Sequence, residues 1–106
     1  FLLRGCGLRL EHRLVRLRTP GDVDFAAAKV REVVVELRYL DAEHGLDVAD
    51  RVRFTGPGQE ETFEFDYVDA ARTGYELKVT TTFTNNLTRT RPWAPADESR
   101  LVIAVP

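Results

Sequence analysis

The sequence predicts an all-β fold, a two-layer antiparallel β-sandwich of about seven strands. The main observation is alternation of apolar and polar residues: Phe63, Phe65 and Tyr67 alternate with polar neighbours, and the pattern resumes from Tyr75 to Phe83. Short clusters of Gly, Pro, Asn and Asp separate the alternating runs, as turns between strands require. No segment shows the apolar spacing of a long amphipathic helix.

The first run, residues 8–18, changes its apolar phase midway. Its leucines up to Leu14 fall on one face, whereas Val15 and Leu17 fall on the other. This change predicts a bulge or bend, in a strand that passes from one sheet to the other. The run is also rich in arginine, and these residues are Arg4, Arg9, Arg13, Arg16 and Arg18. They form either an anion-contacting strip or, as we expect, an edge strand whose charge prevents pairing with other chains.

A turn and a long strand follow. Residues 19–22 have turn chemistry, and Phe25 in the next connection is expected to close one end of the core. Residues 30–40 alternate and are rich in β-branched side chains, which favours a strand. The predicted core face of this strand is Val33, Val35, Leu37 and Tyr39. Val34 on the opposite face indicates that this face is partly covered too, as in a central strand.

The next strand is predicted to end near Thr55, after a short turn in which Gly45 is available for a positive φ. Asp50 falls on the apolar phase of this strand. Because an unpaired buried carboxylate is costly, two alternatives remain: the strand begins after Asp50, or a bulge turns its side chain outward.

Residues 60–91 are predicted to form three adjacent antiparallel strands, around which the rest of the chain is organised. Asn85 and Asn86 predict a two-residue turn between the second and third of these strands, because Asn tolerates a positive φ. Pro92 is expected to end the ladder because it has no N–H to donate. A last short strand is predicted at residues 101–105.

The corner before Tyr75 resembles that of a known family. Residues 72–79 (RTGYELKV) are similar to the corner that precedes the penultimate strand of fibronectin type III and related immunoglobulin-like domains. The resemblance implies an immunoglobulin-like sandwich, with the Tyr75 hydroxyl bonded to upstream backbone and Leu77 and Val79 in the core. It also implies a spacer or binding module within a larger extracellular or assembly protein. The one Trp is Trp93, whereas fibronectin type III domains usually carry a Trp early in the chain.

Length and composition indicate a single domain covering residues 1–106. The net charge is −2, and the one cysteine, Cys6, excludes an internal disulfide. We expect no binding to nucleic acid and no membrane insertion, because the sequence has no basic patch interleaved with aromatics and no apolar run of membrane-spanning length. Of 15 basic residues only Lys29 and Lys78 are lysine, a bias typical of GC-rich bacterial genomes. Because the chain does not begin with Met, it is either a processed chain or, as we expect, a domain of a longer protein. The resemblance favours a protein that is extracellular, periplasmic or at the cell surface.

Two groups of residues are candidate binding sites. Four acidic residues lie close enough in sequence to hold Ca²⁺ through hard oxygen ligands, namely Asp41, Glu43, Asp47 and Asp50. The alternative, which we adopt, is an exposed acidic loop without a metal. Trp93, together with Arg91 and Tyr39, could form a platform that stacks on a sugar ring. Alternatively, the indole folds back as a lid over the core.

Catalysis is not expected. His12 and His44 lie far apart in sequence, and the one Ser, Ser99, is not part of a G-x-S-x-G nucleophile motif. We predict a non-catalytic structural or protein-interaction module, without a cofactor, in a larger bacterial surface, secreted or assembly protein. Its partners would be other domains or subunits of that assembly, and the alternative is a carbohydrate-binding module that uses Trp93. A threonine-rich outer face could also pair with another chain by strand addition, and its members are Thr80, Thr82, Thr84, Thr88 and Thr90.

Overall fold

The structure is a computed structural model that describes residues 10–105, and it confirms the all-β sandwich. Its seven strands are β1 (Glu11–Arg18), β2 (Val30–Asp41), β3 (Leu46–Phe54), β4 (Glu60–Tyr67), β5 (Tyr75–Phe83), β6 (Thr88–Ala96) and β7 (Arg100–Val102). One short 3₁₀ helix, Ala42–His44, joins β2 to β3. The strands form a three-stranded sheet in the order β4-β1-β7 and a four-stranded sheet in the order β3-β2-β5-β6. The interpretations made for Arg4, Cys6, Leu8 and Arg9 lie outside the described residues.

The core lies between the two sheets, because each sheet turns one alternating face inward. The β2 side chains predicted to face the core are all buried, and these are Val33, Val35, Leu37 and Tyr39. Phe63 and Phe65 of β4 are buried as well. The Tyr39 ring of one sheet stacks on the Phe65 ring of the other, with centroids 4.1 Å apart. Burying rings of this size contributes on the order of 2 kcal/mol each. Phe25 is also buried in this core, as expected.

Strand β1 corrects two predictions. Its register with β4 runs without a shift from Glu11 opposite Tyr67 to Arg18 opposite Glu60, so it has no bulge and stays in one sheet. Only its later apolar residues enter the core: Val15 and Leu17 are fully buried, whereas Leu14 is half-buried on the outer face. The edge-strand interpretation is also wrong, because β1 lies between β4 and β7. Residues 16–18 of β1 pair with β7 in parallel, so the sandwich is not purely antiparallel.

Strand β2 is central, as predicted, and its flanking strand β3 resolves the question of Asp50. Val34 on the outer face of β2 is only 6% exposed because β3 and β5 flank it. Strand β3 is continuous, and Asp50 lies opposite the core residue Leu37 without a bulge. Both alternatives for Asp50 were wrong, since this part of the edge strand is open to solvent and the carboxylate stays exposed. Asp50 Oδ1 accepts a hydrogen bond from the Arg51 backbone N–H.

The segment of residues 60–91 is not one meander. Strand β4 belongs to the three-stranded sheet, whereas β5 and β6 belong to the four-stranded sheet, so residues 68–74 cross between the layers. The β5–β6 hairpin is confirmed, but its turn has three residues, 84–86, closed by a hydrogen bond from Phe83 N–H to Leu87 O. Asn86 adopts the left-handed conformation, with φ +68°, and the Asn85 side chain accepts from Leu87 N–H.

Pro92 does not end the ladder. Strand β6 continues through it to Ala96, and the register shifts by one residue, so that Pro92 and Trp93 lie together opposite Lys78. Proline is tolerated here because β6 is an edge strand and a bulge leaves a residue unpaired. Within residues 10–105 there is no helix with the length and apolar character needed to cross a bilayer.

Candidate functional site

The crossing at residues 68–74 is held by one side chain from each sheet. The Tyr39 hydroxyl of β2 donates to the Arg72 carbonyl at 2.6 Å, and Arg13 Nη1 of β1 donates to the Thr73 carbonyl at 2.6 Å. Both donors come from strands that are far from the crossing in sequence. The corner is therefore anchored to both layers through its backbone.

Arg13 also holds the loop between β6 and β7. It lies on the core face of β1, opposite Phe65, and its side chain is only 13% exposed. Its guanidinium donates to the Asp97 carboxylate at 2.7 Å, to the Asp97 carbonyl and to the Ser99 hydroxyl. Hydrogen bonding to Arg13 lowers the pKa of Asp97. The arginine predicted to face a ligand or solvent is thus a clamp between a strand and two connections.

Tyr75 bonds in a direction opposite to the one that the resemblance implies. Its hydroxyl donates to the Glu98 carbonyl at 2.5 Å, which is downstream in the chain, whereas the predicted bond was to upstream backbone. Desolvation in the core raises the pKa of Tyr75 to about 12. The phenol therefore stays protonated at neutral pH and acts as a donor, and its ring lies beneath the Arg13 guanidinium at 5.7 Å.

Asp41, the first of the calcium candidates, is bonded to His44 and Arg72. Its side chain is fully buried, with Oδ2 2.8 Å from His44 Nδ1 and Oδ1 3.3 Å from Arg72 Nη1. The side-chain hydrogen bond with His44 is the main cause that lowers the pKa of Asp41, and the nearby charge of Arg72 makes a smaller contribution. Glu43 contacts the same arginine at 3.5 Å.

The structure does not bring the four calcium candidates together. Asp47 and Asp50 lie on β3 with exposed side chains, apart from the buried Asp41. In the part of the chain that is described, no group of three or more His, Cys, Asp or Glu side chains could hold a metal ion.

Trp93 lies on the outer face of the four-stranded sheet. It is half-buried and is not part of the core, so it does not form a lid. The guanidinium carbon of Arg38 lies 4.3 Å from the indole centroid, and Arg38 Nε donates to Glu76 at 2.8 Å. The partners predicted for Trp93 are elsewhere: Tyr39 is 1% exposed in the core, and Arg91 lies opposite the core residue Val79.

Charges on the two outer faces are mostly paired across strands. On the four-stranded sheet Arg53 pairs with Glu32 at 2.6 Å, and Lys78 lies 3.9 Å from Glu36. On the three-stranded sheet the two ring nitrogens of His12 lie 2.8 Å from Glu64 and 2.9 Å from Asp66. These two hydrogen bonds raise the pKa of His12.

Three arginines on the three-stranded sheet are exceptions to this cross-strand pairing of charges. Arg16 of β1 lies directly opposite Arg100 of β7, and Arg18 follows on the same face. They line a cleft of about 410 Å³, together with Leu17, Glu60, Leu101 and Val102. Among residues 10–105 none of the three arginines forms an ion pair. We call this surface the arginine cleft.

Comparison with known proteins gives no match, whether with protein-family models, with curated proteins or with solved structures.

Sequence reasoning missed the arginine cleft and the Arg38–Trp93 contact. Arg100 is more than 80 residues from Arg16 in sequence, and only the parallel β1–β7 register places them side by side. Arg38 meets Trp93 across β5, which also requires the sheet order. The arginine-rich pattern of β1 was the one available signal, and it did not separate the structural Arg13 from the exposed Arg16 and Arg18.

Proposed function

We propose that this chain is a non-catalytic structural and protein-interaction module, with an immunoglobulin-like arrangement, in a larger bacterial surface, secreted or assembly protein. The observation that carries the proposal is that the ionisable side chains near the crossing corner are engaged in holding the fold. Arg13 and Asp97 anchor two connections, and Asp41 with His44 and Arg72 anchors the β2–β3 turn.

Catalytic roles would need these groups free to meet a substrate. A general base must lie within hydrogen-bond reach of the proton that it removes, in a space that a substrate can enter. The His44 imidazole is instead bonded to a buried carboxylate, and the Tyr75 hydroxyl is bonded to a backbone carbonyl. Arrangements of this kind stabilise connections between sheets, which favours a scaffold over an enzyme.

The immunoglobulin-like arrangement is supported by the division of seven strands into sheets of three and four, with consecutive strands crossing between the layers. Both sheets present an outer face on which polar side chains predominate. Folds of this kind commonly serve as modules, although the fold does not by itself identify a partner.

Site-specific photo-crosslinking in the native host tests the proposal. A photoreactive amino acid replaces Thr62 on the outer face of β4 or Thr90 on the outer face of β6, and Ala70 in the exposed corner serves as the control position. We expect a defined protein adduct at one of the two sheet positions, above the level at Ala70. Equal background at all three positions would contradict a protein-interaction role.

Carbohydrate binding is the second candidate, and the position of Trp93 favours it. Arg38 fixes the indole on the outer face, where part of the ring stays accessible. Since Trp93 is the one Trp of the chain, its fluorescence reports directly on a bound sugar. If the chain binds a glycan there, oligosaccharides will shift this emission and Trp93→Ala will abolish binding in affinity electrophoresis. An emission unchanged across neutral and acidic oligosaccharides would dismiss this candidate.

A further inference from the structure

We propose that the arginine cleft binds an extended acidic segment of a partner protein, which adds as a strand along the free edge of β7. This inference rests on the proposed function and specifies its surface and its partner. Three features of the described residues carry it: unpaired like charges, an open strand edge and an apolar side chain beside them.

The first feature is the juxtaposition of like charges. Arg16 and Arg100 occupy directly opposite positions in the parallel pair, with Arg18 two residues further along the same face. Like charges placed directly opposite one another destabilise a sheet. Glu60 lies opposite Arg18 in the β1–β4 register, yet it makes no ion pair with any of the three among residues 10–105. On the four-stranded sheet Arg38 lies opposite Glu76 and Lys78 lies opposite Glu36, and an anionic partner would supply the corresponding opposite charge to Arg16 and Arg100.

The second feature is the free edge of β7. The Arg16 N–H donates to the Ser99 carbonyl and the Ile103 N–H donates to the Arg18 carbonyl, each at 2.8 Å. Backbone groups alternate in direction along a strand, so those of Arg100 and Val102 point away from β1. Strand β7 is the last strand in the order β4-β1-β7 of the described part. An extended peptide can therefore add main-chain hydrogen bonds at this edge.

The third feature specifies the side chains of the partner. Val102 lies on the same face as Arg100, two residues along the strand, and is 59% exposed. A strand paired with β7 would place an acidic side chain beside Arg100 and an apolar side chain beside Val102. The preferred segment thus alternates so that Glu or Asp and Val or Ile fall on one face.

The residues that line the cleft favour a peptide over an anionic polysaccharide. They include three arginines and two half-exposed or exposed aliphatic side chains, but no aromatic ring. Sugar-binding surfaces commonly use an aromatic ring for stacking, and Trp93 is on the other sheet. An acidic peptide needs positive charges to pair with its carboxylates and an open strand edge to bond with its backbone, and the arginine cleft and β7 offer both.

Fluorescence anisotropy with the 106-residue chain tests the proposal. The probe is a labelled peptide, Thr-Glu-Thr-Val-Thr-Glu-Thr, and the same peptide with Lys in place of Glu is the control ligand. We expect binding of the Glu peptide that weakens as salt is added, because exposed charges are screened. The double variant Arg16→Glu/Arg100→Glu should weaken this binding by about tenfold or more.

A matched variant and an edge variant separate specific binding from charge alone. Arg89→Glu/Arg91→Glu makes the same change in net charge on exposed β6 residues of the other sheet, and binding should stay within about twofold. Val102→Pro removes the N–H that faces the free edge and should weaken binding by about tenfold. Thermal melts followed by circular dichroism verify that each variant remains folded.

Each of the following results would overturn the proposal. The Glu peptide does not bind, or the β6 variant loses as much affinity as the cleft variant, or polygalacturonate binds through Arg16 and Arg100 whereas the peptide does not. Unchanged binding by a folded Val102→Pro variant would refute strand addition. Photo-crosslinking with Val102 as an additional position separates this failure from failure of the proposed function. A protein adduct at Thr90 but none at Val102 would retain the module and reject the cleft.

Discussion

Replacing Arg13 by Met tests the clamp between β1 and the two connections. Met keeps most of the apolar stem that packs over Tyr75 but removes all the guanidinium donors. The variant loses the bonds to the Thr73 carbonyl and the Asp97 carbonyl, and also the ion pair with the Asp97 carboxylate. The crossing corner would keep the Tyr39 bond to the Arg72 carbonyl, the β6–β7 loop would keep the Tyr75 bond to the Glu98 carbonyl, and Thr73 would still donate to Asp97.

The magnitude follows from the exposure of each acceptor. The Thr73 carbonyl belongs to a half-buried residue, so losing a charged donor there costs about 2 kcal/mol. The Asp97 carbonyl belongs to an exposed residue that water can solvate, which reduces its share to about 1 kcal/mol. The Asp97 side chain is 74% exposed, so this ion pair adds only a small contribution, which the sum leaves out. The sum is about 3 kcal/mol, or a fall of roughly 12 °C or more in melting temperature for a domain of this size.

Urea denaturation of the wild type and of Arg13→Met measures this loss. The control is Arg16→Met on the same strand, which removes an exposed guanidinium without an ion pair in the described part and should change stability by less than about 0.5 kcal/mol. Arg13→Lys should recover part of the loss, because Lys retains the charge but not the planar fork. If Arg13→Met unfolds within about 0.5 kcal/mol of the Arg16→Met control, the clamp does not stabilise the fold.

The same clamp predicts an acid dependence. The pKa of Asp97 is lowered below 3.8, chiefly by the hydrogen bond from Arg13. The folded state thus gains stability from the ionised carboxylate above pH 3.8, and this contribution is lost as the pH falls through the lower folded-state pKa. In Arg13→Met the acid-dependent component should shrink. An identical acid profile in wild type and variant would show that Arg13 does not perturb Asp97.

The remaining predictions concern the core, the corner and His12. Phe63→Ala should cost about 3–5 kcal/mol in urea denaturation because it leaves a cavity at a fully buried position. Tyr39→Phe should lower the free energy of unfolding by about 1–2 kcal/mol, because the Arg72 carbonyl loses its donor. The control Tyr67→Phe should be near neutral, because the Tyr67 hydroxyl makes no hydrogen bond within residues 10–105. Equal effects of the two substitutions would argue against the corner anchor. The pKa of His12 is raised above 6.5, so protonated His12 stabilises the folded state fully below pH 6.5. This stabilisation is lost as the pH rises through the pKa that His12 has in the folded state. An NMR titration of His12 with a midpoint at or below 6.5 would refute this assignment.

The strands themselves were determined by the sequence because alternation is a local signal. The buried faces of β2, β4 and β5 follow directly from which residues are apolar at every second position, and the β5–β6 hairpin follows from its asparagines. The preference of apolar side chains for the buried face, and of the backbone for an extended conformation, depends on the residues of each segment and not on the strands beside it. The same reasoning placed Phe25 in the core and Gly45 at a positive φ.

The order and register of the strands were decided only by the tertiary structure, because they depend on contacts between residues distant in sequence. The sequence placed β4 beside β5, whereas packing of the two apolar faces against each other put the strands in different sheets. It also treated Arg13 and Arg16 alike, although one faces the corner carbonyls inside the sandwich and the other faces Arg100 outside it. A period of two residues specifies the two faces of a strand, but only packing specifies which face meets the core and which strand lies alongside.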